Sequence, residues 1–178
     1  MQNFIDTQTN KLWAFEDDVI VDNSGGVYSF KTASGTELSS TPSTLQPYTP
    51  PAPTNSQQLL SARESAVNAV NSACQAQIIG GFTSSALGDA RTYPSTDVDQ
   101  RNLLSAAMAS QGQDSPWATL LWCESGGVWS FASHTAAQVQ QVNADFLAFR
   151  VGAQQKCMSL VAEIEAAADA ETVEKIVW

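Results

Sequence analysis

The sequence predicts an α+β protein: a small N-terminal β-meander, a Pro-rich linker, and a C-terminal domain with two β-hairpins and three longer helices. Three observations predict it. Short β-like runs separated by acidic or Gly-rich turns fill residues 4 to 38. Five of the seven prolines lie between Pro42 and Pro53. Beyond them, stretches of three-to-four apolar spacing alternate with glycine-centred strand pairs. The boundaries drawn from these signals are 1–41 for the β-rich piece, 42–56 for the linker and 57–178 for the α+β domain.

In the first piece, Leu12–Phe15, Val19–Val21 and Val27–Phe30 read as about three meandering strands, broken by Glu16-Asp17-Asp18 and by Asn23-Ser24-Gly25-Gly26. Trp13, Phe15, Tyr28 and Phe30 are its expected packed face. The linker, in polyproline II geometry, would extend about 45 Å. A helix is then expected over 57–79, with Leu60, Val67, Val70, Cys74 and Ile78 as its apolar stripe, Arg63 interrupting it and Gly80-Gly81 ending it.

The run from Gly81 to Leu104 carries a hairpin signal, a proline stop and a helix start. Phe82–Leu87 and Ala90–Tyr93 can pair across Gly88-Asp89, a two-residue loop whose leading glycine permits positive φ. Pro94 removes a donor, and Thr96 or Asp97 can cap a helix over 97–110, with Gln100 three residues after Asp97. A second hairpin sets Leu120 and Trp122 against Trp129 and Phe131 across Ser125-Gly126-Gly127, with Leu121, Cys123 and Val128 on the other side. Both faces are apolar, so the hairpin should be covered on both sides or cover something else.

The longest element is a helix over 135–168 with Thr135 as its N-cap. Val139, Val142, Phe146, Phe149, Ala153, Cys157, Leu160 and Ile164 form a near-heptad seam. Its length of about 50 Å exceeds the ~40 Å diameter of a compact globule of this size. Either it breaks near Gly152, or it projects and pairs with the 57–79 helix or with another subunit, a route to a homo-oligomer. Asp169 opens a last short helix, with Val173, Ile176 and Val177 facing inward and Trp178 closing the chain.

Gly81-Phe82, Ala86-Leu87-Gly88, Tyr93-Pro94-Ser95 and Asp99-Gln100-Arg101-Asn102-Leu103, with Trp122 to Trp129 and the closing Ile176-Val177-Trp178, resemble the C-terminal domain of phage tail-fibre assembly proteins. The likeness covers roughly 57–178. It implies a chaperone that binds a tail fibre protein, at its C-terminal region, and assists folding and trimerisation in a phage or phage-tail-like particle. The alternative it leaves is a structural tail or fibre-tip subunit retained in the particle. It brings no catalytic set with it.

Composition narrows the remaining classes. The formal net charge is −10, spread over both parts, and no basic run supplies the electrostatic attraction on which nucleic-acid binding depends. No stretch approaches the ~20 apolar residues of a membrane helix. The first residues lack the order of a signal peptide, so the expectation is a protein of the host bacterium's cytoplasm. Cys74, Cys123 and Cys157 show no C-x-x-C spacing and read as small buried hydrophobes. His134, the one histidine, reads as a solvated or capping residue beside Thr135. A Cys123–His134 nucleophile pair has no base arranged by the local sequence. The chain is therefore expected not to be an enzyme and to carry no cofactor and no metal. What remains is surface for another protein. Trp122, Trp129 and Phe131 read first as core, and together with Trp117, which follows Pro116 at the hairpin's edge, they are the candidate partner-binding residues.

Overall fold

Alternation along Gln2–Asp6, the first strand (β1), turns Phe4 and Asp6 inward, and this strand organises the N-terminal unit. The computed structural model describes residues 1–178, which divide into two units, Met1–Pro53 and Thr54–Trp178. β1 lies between β2 (Leu12–Phe15) and β5 (Leu45–Pro47), antiparallel to both. β3 (Ile20–Ser24) and β4 (Val27–Lys31) form a separate hairpin. Phe4, Phe15, Phe30 and Leu45 make the core. Phe15 stacks on Phe30 at 4.2 Å, and Phe4 meets Phe30 edge-on at 4.8 Å. Each such ring contributes about 1.5–3 kcal/mol by burial, which explains how so short a unit holds a core.

Two expectations are corrected here. β1 was not among the three expected strands, because its lone pair Phe4 and Ile5 is too short to show a period. The Pro-rich stretch is not a free spacer throughout: Leu45 is fully buried, and the Asp6 carboxylate accepts from Thr44 Oγ1 (2.5 Å), Thr9 Oγ1 (2.5 Å) and Gln8 N (3.0 Å). Prolines on either side leave Leu45 free to pair with the edge of β1, the position at which strand prolines are tolerated.

The three longer helices share one start signal. α1 (Asn55–Ile79), α2 (Asp97–Ala109) and α3 (Ala136–Ala166) are capped by Thr54, Thr96 and Thr135, each with a reciprocal side chain three residues on: Gln57, Asp99 and Gln138. The partner of the α2 cap is thus Asp99, while Gln100 turns back to the Ser95 carbonyl (2.8 Å). α1 begins just after Pro53, two residues before the expected start. Leu60 is exposed, and Leu59 takes its place in the stripe. Arg63 does not spoil that stripe, since its Nη2 donates to the Ala167 carbonyl at the end of α3 (2.8 Å).

β6 (Phe82–Ser84), β7 (Arg91–Tyr93), β8 (Ala118–Ser125) and β9 (Val128–Thr135) form one antiparallel sheet in that order. The first hairpin is present, but its strands are shorter than expected and the connection runs over 85–90. The cause is Ser84: its Oγ donates to Asp145 on α3 (2.5 Å) and accepts from Ala86 N (3.2 Å), which draws the chain out of the ladder. Gly88 still takes positive φ (98°), in a turn closed by its N–H on the Ser85 carbonyl.

α3 runs unbroken through Gly152 for 31 residues and resolves its excess length by serving two cores. Its first half sets Val142 and Phe146 against Phe82, Tyr93, Leu103 and Cys123. Its second half sets Ile164, with Leu160 and Cys157, against Val70 of α1 and Val173 of α4 (Ala170–Glu174). The seam offered as a route to another subunit is therefore filled within the chain. At the C-terminus Val173 and Ile176 pack inward but Val177 is exposed, while Trp178 donates to Gln77 (3.0 Å) beneath Lys156.

Candidate functional site

The second hairpin turns at Gly126-Gly127, both with positive φ (60° and 83°), and Ser125 pairs with Val128 beside the turn. This two-residue loop fixes register, so Trp122 stands opposite Phe131 and Glu124 opposite Trp129 on one face. Leu121, Cys123, Ala132 and His134 fall on the other, toward α3. Only that inner face is covered. On the outer face Leu120 is 60% exposed, Trp122 41%, Trp129 42% and Phe131 64%. Trp122 and Trp129 stack at 6.3 Å, and Trp122 meets Phe131 edge-on at 4.7 Å. Val128 is exposed as well, because it sits at the turn.

Of the four candidate partner-binding residues, the hairpin brings Trp122, Trp129 and Phe131 together as a surface rather than as a core. Trp117 is half-buried ahead of β8. Its neighbour Ala118 pairs with Thr135 at the end of the hairpin farthest from the turn, so Trp117 is not part of the cluster. Leu120 belongs to the face, and the alternation Leu120, Trp122, Glu124 already marks it in the sequence.

The face continues into a cleft of about 420 Å³ lined by Leu120, Leu121, Trp122 and Phe131, by Tyr93, and by Leu103 and Ala106 of α2. Asp99 is the one charged side chain in that lining, and no base faces it. β9 is also an edge strand of the sheet, with β6 at the other edge. Its eight residues, Val128–Thr135, contain no proline, Lys, Arg, Asp or Glu, the devices by which edges are usually guarded against pairing.

Beneath the sheet, His134 is fully buried, which corrects its reading as a solvated or capping residue. Strand alternation turns it inward although it adjoins the helix cap. Its Nδ1 lies 2.9 Å from the Ala132 carbonyl and its Nε2 2.8 Å from the Tyr93 hydroxyl. A carbonyl only accepts, so Nδ1 carries the proton and Nε2 accepts from Tyr93. Burial, and secondarily Arg91, lowers its pKa against the opposing pull of Ala132. Burial above all pushes Tyr93 up to about 12. With both ring nitrogens engaged, His134 has none left for the buried Cys123 thiol, which instead receives Arg91 Nη1 at 3.9 Å. No group of three or more His, Cys, Asp or Glu side chains converges to hold a metal ion, and no helix is long and apolar enough to cross a membrane.

The fold and this face define an α+β module, a helix-backed four-stranded antiparallel sheet with one aromatic hairpin face left open. The chain belongs to the family described as Domain of unknown function (DUF4376), whose model matches residues 61–177. No curated protein and no solved structure matches the chain.

Proposed function

We propose that this protein is an assembly chaperone for the tail fibre of a phage or phage-tail-like particle, acting in the host cytoplasm by protein–protein binding and without bond chemistry. The observation that carries the proposal is the uncovered face of Leu120, Trp122, Trp129 and Phe131 on an edge hairpin without charge in its outer strand. Contiguous exposed aromatic surface is costly in water and marks a binding site. Unassembled fibre tips, rich in strands, expose edges that pair wrongly at cellular concentration. A transient aromatic cover suits them. The resemblance at Gly81 to Leu104 supplies the client, the C-terminal region of a tail fibre. The net charge of −10 argues against nucleic acid as partner.

The test is co-expression of a candidate tail fibre with and without this chain, scored by the soluble trimer fraction. A higher fraction in its presence, without the chain in finished particles, is the expected result. Equal fractions over a range of expression levels remove the chaperone reading. Stoichiometric recovery in mature particles replaces it with the structural-subunit reading.

A further inference from the structure

The hairpin that carries the open face occurs twice in the chain. Asn23-Ser24-Gly25-Gly26-Val27-Tyr28-Ser29-Phe30 and Glu124-Ser125-Gly126-Gly127-Val128-Trp129-Ser130-Phe131 agree at Ser, both Gly, Val, Ser and Phe, with Tyr exchanged for Trp. The geometry repeats as well. Both turns take two glycines at positive φ, and Ser24 pairs with Val27 as Ser125 pairs with Val128. Val21 then stands opposite Phe30 where Trp122 stands opposite Phe131, and Asn23 opposite Tyr28 where Glu124 stands opposite Trp129.

The two copies differ in what covers that shared face. In the first, Phe30 is 1% exposed, packed on Phe4, Phe15 and Leu45 from the neighbouring three-stranded sheet. In the second, Phe131 is 64% exposed. The turn alone accounts for Ser-Gly-Gly-Val, but it does not account for an aromatic pair at the same two face positions. From this we infer that the β8–β9 face is a docking surface for a strand-borne patch of Phe and Leu side chains on another chain, the same chemistry that covers the first copy. The occupant is neutral or basic. Glu124 is the one charged residue on the face, Asp99 the one in the adjoining cleft, and the whole chain carries −10, so an acidic patch is repelled. This rests on the proposed function only in taking the occupant to be a foreign chain.

The experiment uses the full chain and a disulfide-cyclised β-hairpin peptide with Phe and Leu on one face and Thr and Lys on the other. Binding is followed by backbone amide shifts and Trp fluorescence. Shifts confined to 118–135 and the α2 wall are expected, with affinity at least about tenfold weaker for Phe131→Ser, for Trp122→Ser, and for a peptide with Thr in place of Phe and Leu. Equal affinity for the Thr peptide, or shifts elsewhere, overturns the inference, as does failure to bind. A chain that dimerises in sedimentation, with the dimer lost in Phe131→Ser, also overturns it, because the occupant is then a second copy. No fibre is present, so a negative result leaves the co-expression outcome to be read separately.

Discussion

The Tyr93 hydroxyl donates to His134 Nε2 at 2.8 Å across the buried side of the C-terminal sheet, joining β7 to β9 over the intervening β8. This bond fixes a neutral imidazole. Burial holds the His134 pKa below its usual value, whereas the unfolded chain titrates near ~6.5. As pH falls through ~6.5, the unfolded state takes up its proton first and native stability drops, until the lower folded pKa is passed. Thermal midpoints of the full chain should therefore decline between about pH 7.5 and 5.5. His134→Gln should flatten that slope, and an unchanged slope in the variant would assign it to other groups.

Asp6 gives the N-terminal unit the opposite limb. Hydrogen bonds from Thr44, then Thr9 and Gln8, pull its carboxylate down to about 2. A depressed acid stabilises the fold above its unfolded pKa of ~3.9, and that contribution disappears as pH falls from there toward the folded value. Hydrogen exchange at β1 amides should accelerate between about pH 4 and 2, beyond its intrinsic pH dependence, and Asp6→Asn should abolish the extra acceleration. Amides of α3 should not follow, because Asp6 belongs to the other unit.

Phe146 tests the shared helix. It is 6% exposed and lies 5.1 Å from Phe82, between α3 and the sheet. Phe146→Ala should cost ~3 to 5 kcal/mol in denaturant unfolding of the C-terminal unit. A loss below about 1 kcal/mol would mean that the first half of α3 is not what holds the sheet.

The helix starts offer a smaller, independent measure. Thr135→Ala removes an Oγ1 that accepts from Gln138 N and should cost about 0.5–2 kcal/mol, whereas Thr135→Ser should cost little. Equal losses in the two variants would point to the threonine methyl rather than the cap.

Much of this architecture was legible because it rests on local chemistry. Thr96 and Thr135 announce their helices, Gly126-Gly127 its hairpin, and the 3.6-residue rhythm of Val139, Val142 and Phe146 its buried face. Failures came where a distant residue decides. The strand stops at Ser84, short of Leu87, because Asp145, on a helix far along the chain, takes the Ser84 hydroxyl. Leu45 becomes a strand because β1 offers a free edge, and nothing within the prolines says so. His134 is buried by the parity of β9 although the cap beside it suggests solvent. At the site, strand alternation placed Trp122, Trp129 and Phe131 on one face but left open whether that face is covered. The closest available signal was the repeated Ser-Gly-Gly-Val hairpin, whose two copies meet different surroundings.

Exposure and function should separate cleanly in the double variant Trp122→Ser, Phe131→Ser. These rings lie on the outer face, so their loss opens no cavity in the core formed by Phe82, Tyr93, Leu103, Cys123, Val142 and Phe146. The fold forfeits the edge-on contact at 4.7 Å and the Trp122–Trp129 stack at 6.3 Å, two aromatic pairs that contribute about 0.5–1.5 kcal/mol each. Serine is tolerated on a solvated strand face, and the Gly126-Gly127 turn still fixes register. A binding face, in contrast, concentrates its energy in such aromatic anchors, and truncating one commonly costs 2 kcal/mol or more, about thirtyfold in affinity. The variant should therefore unfold within about 3 kcal/mol of the parent, while, under the proposed function, the soluble fibre trimer falls to the level seen without the chain. If the trimer fraction stays at the parent's level, the β8–β9 face is not the surface on which the proposed chaperoning depends. If stability falls by more than ~5 kcal/mol, as the loss of two buried aromatics requires, the face is covered in solution and the rings act as core.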